Sequence, residues 1–250
     1  MGDSRFFIHD QDEQNRVIEA KRKLVLEFLS TETFSTSAIL GKLLKLSRSG
    51  TYSTLKKMEK EGLIKLYEIE YEIAQRGKQT IWGITQTGAL LATDLEDFHI
   101  EYFEAGRIAV STLSHSIGVQ HVKIAGLEKG WNQWESSRKL KQKAAKDRKK
   151  WKQIPDALAV KDGKVVAFEI EKTAKSSSRY ETILANYAEM FLDGTVAGVI
   201  YICPENLMKR LEMLFSKIEK ITIQGRMHPV HENVRKRIKF MTLQEWRDEK

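Results

Sequence analysis

The spacing of apolar residues changes period along the first hundred positions, and the change marks out the elements. From Asn15 to Leu29, the residues Val17, Ile18, Leu24, Val25, Phe28 and Leu29 fall on a helical stripe. Phe34-Ser35-Thr36-Ser37 supplies capping hydroxyls ahead of a short second helix, AILGKLLKL. Leu46 to Gly50 predicts a turn. Tyr52, Leu55 and Met58 recur at a spacing of three and predict a third helix, which Gly62 ends because glycine readily takes the left-handed cap conformation. The period then drops to two. Ile64-Leu66 and Tyr67-Ile69-Tyr71-Ile73 predict a strand, Gln75-Arg76-Gly77-Lys78 a turn, and Gln79 to Thr85 a returning strand. Thr85 to Gly88 starts another helix, Ala89 to Leu95.

Beyond that point the pattern predicts an α/β unit. Asp94 to His121 reads as mainly helical, and a helix around Ala105 to Leu127 opens the second domain. Trp131 to Ser136 is a short strand. Ile154–Val160 and Val165–Glu171 are two further strands, joined at Asp162-Gly163, a strong hairpin signal. Ser176-Ser177-Ser178 caps the helix RYETILANYAEMF, and VAGVIYICP is apolar enough to be a strand buried on both faces. Pro204 starts a helix, ENLMKRLEMLFSKIEK, and KRIKFMTL is the last strand. The expected domains are therefore residues 1–95 and 96–250.

Composition narrows the class. The 250 residues, 41% of them hydrophobic and only three of them proline, describe folded structure. No run approaches the roughly 18–20 apolar residues that a membrane span needs, and the N-terminus lacks the basic and apolar regions of a secretory signal. The expectation is a cytoplasmic protein with no membrane contact. The single cysteine, Cys203, excludes an intramolecular disulfide framework and any zinc site built from cysteines. His115 and His121 are not spaced to share a helical face and read as buried or capping residues.

Charge is more informative. The chain carries a net charge of +8, and the segment Arg138–Lys152 holds nine basic residues and one acid, which accounts for all of it. So concentrated a block marks a place for a polyanion to lie, with a solvated helix face or loop as the alternative reading. Arg138, Lys139, Lys141, Lys149 and Lys150 are its candidate contacts. In the first domain, Arg48, Ser49, Thr51 and Tyr52 stand at the start of the third helix, where a recognition helix meets base edges. Lys56 and Lys57 are placed for phosphate, and Arg76 and Lys78 lie at the hairpin tip.

One acidic constellation suggests chemistry. Asp156 precedes one strand of the second hairpin, and Glu169-Ile170-Glu171-Lys172 closes its partner. Antiparallel pairing brings Asp156 towards Glu169, and alternation puts Glu169 and Glu171 on one face with Ile170 on the other. Clustered carboxylates repel and are costly to desolvate unless a cation compensates. A hard ion such as Mg²⁺ or Mn²⁺ selects such oxygens and activates water against a phosphodiester.

Three helices and a hairpin, with Leu46-Ser47, Thr51-Tyr52, Leu55, Met58, Gly62-Leu63-Ile64, then Trp82, Ile84-Thr85 and Gly88, resemble a winged helix-turn-helix over residues 14–95. Pro155-Asp156 with Glu169, Glu171 and Lys172 resembles the PD-(D/E)xK nuclease superfamily. It departs from that pattern in that Glu171 occupies the usual lysine position and alternation turns Lys172 to the opposite face, so that Lys175 from the following loop is a second candidate. Together with SHSIGVQHV, the Trp134-Glu135 strand, Pro155-Asp156-Ala157 and Phe168–Lys172, the whole is similar to the plasmid replication-relaxation proteins, and to MobC-type mobilisation relaxases among them. The resemblance implies a winged helix followed by a restriction-endonuclease-like mixed sheet flanked by helices. It implies a metal-dependent DNA endonuclease that binds a plasmid transfer origin in double-stranded DNA and nicks one strand. Mg²⁺ or Mn²⁺ would sit on Asp156, Glu169 and Glu171, Lys172 would complete the catalytic set, and a coupling protein or other relaxosome components would be partners. The three-histidine metal site of tyrosine relaxases has no counterpart here, which favours attack by activated water; Tyr180 and Tyr187 read as core or DNA contacts. A non-catalytic DNA-binding accessory or replication regulator, and a host-defence endonuclease cutting both strands, are the competing expectations.

Overall fold

A computed structural model describes residues 11–70, 78–92, 101–107, 110–146 and 151–249. The sequence-assigned Arg76, Lys149 and Lys150, and the strand positions Tyr71 and Ile73, lie outside them. The chain divides into two compact units, residues 1–117 and 118–250.

The first unit contains α1 (Gln11–Glu32), β1 (Phe34–Ser35), α2 (Ser37–Leu44), α3 (Arg48–Lys60), β2 (Ile64–Glu70), β3 (Lys78–Ile84) and α4 (Gln86–Ala92). Its sheet has the order β1-β3-β2 and is antiparallel throughout. Helix α1 buries Val25, Leu26, Phe28 and Leu29, whereas Val17, Ile18 and Leu24 of the expected stripe stand exposed. The expected turn at 46–50 is shorter than the sequence suggested. Ser47 accepts from the backbone N–H of Gly50 and so starts α3 at Arg48, inside the predicted turn. Phe34-Ser35, read from sequence as capping residues only, also pairs with β3, and Thr36 is the cap of α2.

Helix α5 (Val110–Glu128) leads into the second unit, which continues with β4 (Asn132–Ser136), α6 (Ser137–Lys146), β5 (Ala157–Lys161), β6 (Lys164–Ile170), α7 (Ser177–Leu192), β7 (Gly198–Ile202) and α8 (Glu205–Lys217). After these come β8 (Lys220–Ile223), β9 (Arg226–Pro229), α9 (Glu232–Arg235), β10 (Ile238–Met241) and α10 (Leu243–Asp248). The central sheet is mixed and has the order β10-β7-β6-β5-β4, with β10, β7 and β6 parallel and β6, β5 and β4 antiparallel. Asp162 and Gly163, at φ 51° and 72°, make the tight turn between β5 and β6, a left-handed conformation that suits these two residue types. Alternation along the strands builds two cores. Leu158, Ala167, Val199 and Tyr201 pack on the face of α7 and α8, while Ala157, Ala159, Phe168, Ile170, Ile200 and Ile202 pack with Val122, Trp131 and Trp246 on the other. The sequence reading carried the helix after Pro204 through to Lys220. The structure ends it at Lys217 and forms the hairpin β8–β9, because Ile221 is buried and Gln224-Gly225 turns the chain.

Candidate active site and nucleic-acid interface

The two strands of the β5–β6 hairpin bring the first pair of acids together. Ala157 pairs with Phe168, so Asp156 and Glu169 occupy the next rung of the ladder. Asp156 is anchored at both ends. Its Oδ2 accepts from the backbone N–H of Ile170 at 2.8 Å, and its carbonyl accepts from the N–H of Ser137 at 3.0 Å. That second bond ties the first residue of α6, the basic helix, to the acid.

Glu169 is buried on the α7 face. Its Oε1 accepts from the Tyr187 hydroxyl at 2.6 Å and from Gln153 Nε2 at 3.2 Å. Burial, followed by the repulsion of Asp156, pushes its carboxyl up to about 7 against an ordinary 4.5, while Tyr187, Gln153 and Lys175 pull the other way. Two favourable hydrogen bonds and a nearby ammonium therefore do not fully compensate the charge. Tyr201, directly across from Glu169 on β7, has a buried hydroxyl with no hydrogen-bond partner.

Glu171 is equally buried and lies just beyond β6, where its N–H donates to the Ile202 carbonyl. The Lys175 ammonium forms an ion pair with its Oε1. Burial lowers the Lys175 pKa, and Glu169 and Asp156 oppose the shift.

The structure does not bring Lys172 to these carboxyls. It follows Glu171 on the other face, where a Cβ added to Gly118 of α5 would stand 3.6 Å from Lys172 Cε and 3.5 Å from Ile170 Cγ2. Burial lowers its pKa. Gln153 and Tyr187, which touch Glu169, were not assigned to the site from sequence. Gln153 is a polar residue in a short connection and gave no signal. Tyr187 is a helical core residue whose hydroxyl finds its partner only across the sheet.

By donor chemistry the acids suit a hard divalent cation: Asp156, Glu169 and Glu171 offer only oxygen, and a cation would relieve the elevated pKa of Glu169. Among the described residues, however, no three His, Cys, Asp or Glu side chains are grouped as a ready-made metal site. The pair Asp156 and Glu169 matches the one or two carboxylates with which Mg²⁺ is often held. Glu171 is engaged by Lys175.

The expected DNA contacts divide by exposure. Arg48, Ser49 and Tyr52 are exposed at the start of α3, and so is Lys57. Thr51 is not available. It is 1% exposed, and its hydroxyl donates to the Ser47 carbonyl at 2.8 Å, so it packs α3 internally rather than facing a groove. Lys56 is paired with Glu59 at 2.7 Å and lies over the rings of Tyr52 and Trp82, and Lys78 is paired with Glu68 at 3.2 Å. Along α6, Leu140 is buried while Lys139, Lys141 and Lys146 are exposed and Arg138 is partly so. Lys143 pairs with Glu135. Among the described residues no helix is long and apolar enough to cross a membrane.

A family model described as replication-relaxation matches residues 26–200 of the chain. No curated protein matches it. Among solved structures, a mutant of Lactococcus lactis ZitR in its apo form is 22% identical over 32% of this chain and 58% of that one, with a TM-score of 0.25, too low to bear on the fold.

Proposed function

Because this chain belongs to the replication-relaxation family, we propose that it is a plasmid mobilisation relaxase that binds a transfer origin and nicks one DNA strand by metal-dependent hydrolysis. The observation that carries this reading is the acid pair of half-buried Asp156 and buried Glu169, joined through the Asp156 carbonyl by a backbone hydrogen bond to the first residue of a basic helix. Phosphate-binding charge and phosphate-cleaving chemistry would then share one end of one sheet. The strand hairpin, the helix α7 and the buried strand β7 that follow are consistent with a restriction-endonuclease-like domain.

The order α1, β1, α2, α3, β2, β3 and the sheet order β1-β3-β2 support a winged helix-turn-helix in the first unit, with α3 as the recognition helix. Arg48, Ser49, Tyr52 and Lys57 would meet DNA there. In the second unit Asp156 and Glu169 would hold Mg²⁺ or Mn²⁺, with Glu171 beside them. When bound, the ion would supply Lewis acidity towards the scissile phosphate and towards the attacking water. The protein's own part is to fix the acids: the Ile170 N–H orients Asp156, and Tyr187 and Gln153 orient Glu169. Arg138, Lys139 and Lys141 of α6 would hold the DNA backbone alongside. A coupling protein or other relaxosome components remain the partners that this reading implies.

A non-catalytic replication regulator is the second reading, favoured by the pairing of Glu171 with Lys175 in place of a third free ligand. Supercoiled plasmid with and without a candidate transfer origin, incubated with Mg²⁺, Mn²⁺ or EDTA, separates the two. Open circles that require a divalent ion are expected. Binding without cutting under any ion would leave the regulator. Linear products would instead mean that both strands are cut.

A further inference from the structure

In the first unit a cluster of side chains converges behind one exposed ring. Tyr52 of α3 is 52% exposed, and its ring centre lies 6.4 Å from that of buried Trp82 on β3, with the two planes at 68°. Trp82 is itself held, because its Nε1 donates to Ser37 Oγ at 2.8 Å. The Lys56 ammonium lies 5.7 Å from the centre of each ring, within reach of a cation–π contact with both. It also donates to Glu59 Oε2 at 2.7 Å, while Glu59 Oε1 accepts from the backbone N–H of Leu66 at 3.1 Å. Leu66 and Trp82 face each other on β2 and β3, so one rung of the sheet anchors both sides of the cluster.

This arrangement changes what Lys56 can do. Its spacing on the helix suits a phosphate contact, but reaching a phosphate would cost it the Glu59 hydrogen bond and both ring contacts. Lys57, the next residue, is exposed and better placed for that task. What Lys56 does in its present position is hold the Tyr52 ring from one side while Trp82 backs it from another. A ring already fixed loses little conformational freedom when it meets a ligand. Tyr52 stands one helical turn after exposed Arg48 and on the same face. In the major groove base edges present donors and acceptors, and thymine alone adds an apolar group, its C5-methyl.

We infer that Tyr52 is a specificity-determining residue that packs on the methyl group of one thymine in the major groove, and that Lys56 is the positioning residue of its ring rather than a phosphate contact. This rests on α3 being the recognition helix, and it is independent of whether the second unit cuts DNA.

The test selects duplexes from a randomised library with the full chain, then rebuilds the enriched site with deoxyuridine in place of each thymine in turn, which removes only the methyl group. Affinities are measured over a range of salt concentrations. At one thymine the replacement should weaken wild-type binding about fourfold, the worth of one buried methyl. Tyr52→Phe should keep that discrimination, and Tyr52→Ala should bind the two duplexes alike. Lys56→Met should also lose most of the discrimination, with no change in the slope of log affinity against log salt. Lys57→Met should do the reverse, lowering the slope by about 0.9 and keeping the discrimination. A lysine with a merely structural role would not move the thymine-to-uracil ratio. Thermal melting identifies any variant that fails to fold; Glu59→Gln, which releases Lys56 from the other end, is then expected to reduce the discrimination in its place. An enriched site at which no thymine distinguishes wild type from Tyr52→Ala would overturn the inference, and so would a lower salt slope with intact discrimination in Lys56→Met. If no site is enriched at all, α3 is not a reader and the inference falls with that reading.

Discussion

Glu169 concentrates the physics of the site in one side chain. Its carboxyl is pushed up to about 7 when folded, against 4.5 ordinarily, chiefly by burial. Between those pH values the folded protein holds a proton that the unfolded chain has already released. Stability in EDTA should therefore fall as pH rises from about 4.5 to about 7, by a total on the order of 3 kcal/mol, and then level off. Glu169→Gln should flatten that part of the profile in chemical denaturation; an unaltered slope would assign it to other groups. The acids themselves were legible in the sequence, because a two-residue Asp-Gly turn fixes the register and register decides which residues face each other. Their partners were not. Tyr187 reaches Glu169 from a helix that packs across the sheet, and only tertiary packing brings such groups within a hydrogen bond. Thr51 failed for a related reason: position on a recognition helix predicts exposure, but its hydroxyl turns back onto Ser47.

Elements whose apolar period runs cleanly were read well, and elements defined by a local partner were not. The central strands β5, β6 and β7 fall where alternation and a continuous apolar run place them. The hairpin β8–β9 was missed because all four residues of β9 are exposed, so no pattern of burial marks the strand. Packing between elements is tight where a side chain has been removed. A Cβ at Gly88 of α4 would lie 2.1 Å from the Leu63 carbonyl oxygen, a backbone atom that cannot step aside. Gly88→Ala should thus cost roughly 1–3 kcal/mol by overpacking, read as a lowered melting temperature. Helix α6 makes the opposite kind of prediction. With Leu140 as its buried contact, Lys139 and Lys141 exposed and Arg138 partly so, α6 is proposed to lie on the DNA backbone, and replacing those three by alanine should then weaken DNA binding whatever the sequence bound. It should also reduce the slope of log affinity against log salt by about 0.9 for each phosphate that the helix no longer neutralises. An unchanged slope would make α6 a solvated face.

For the whole molecule, charge and chemistry are unevenly shared. One segment holds the entire net charge of +8 and runs from β4 to the residues just before Asp156. The first unit, with exposed Arg48 and Tyr52 on α3, would give position, and the second would give grip and cleavage. Family membership was visible in the sequence because its motifs are spread over both units. The central claim is that the acid pair cuts DNA, and one comparison tests it most directly: wild type against Asp156→Ala on supercoiled plasmid bearing the transfer origin in Mg²⁺, with binding of the same DNA measured alongside. Open circles from the wild type, and closed circles still bound by Asp156→Ala, are the expected result. Equal nicking by the two proteins would contradict it.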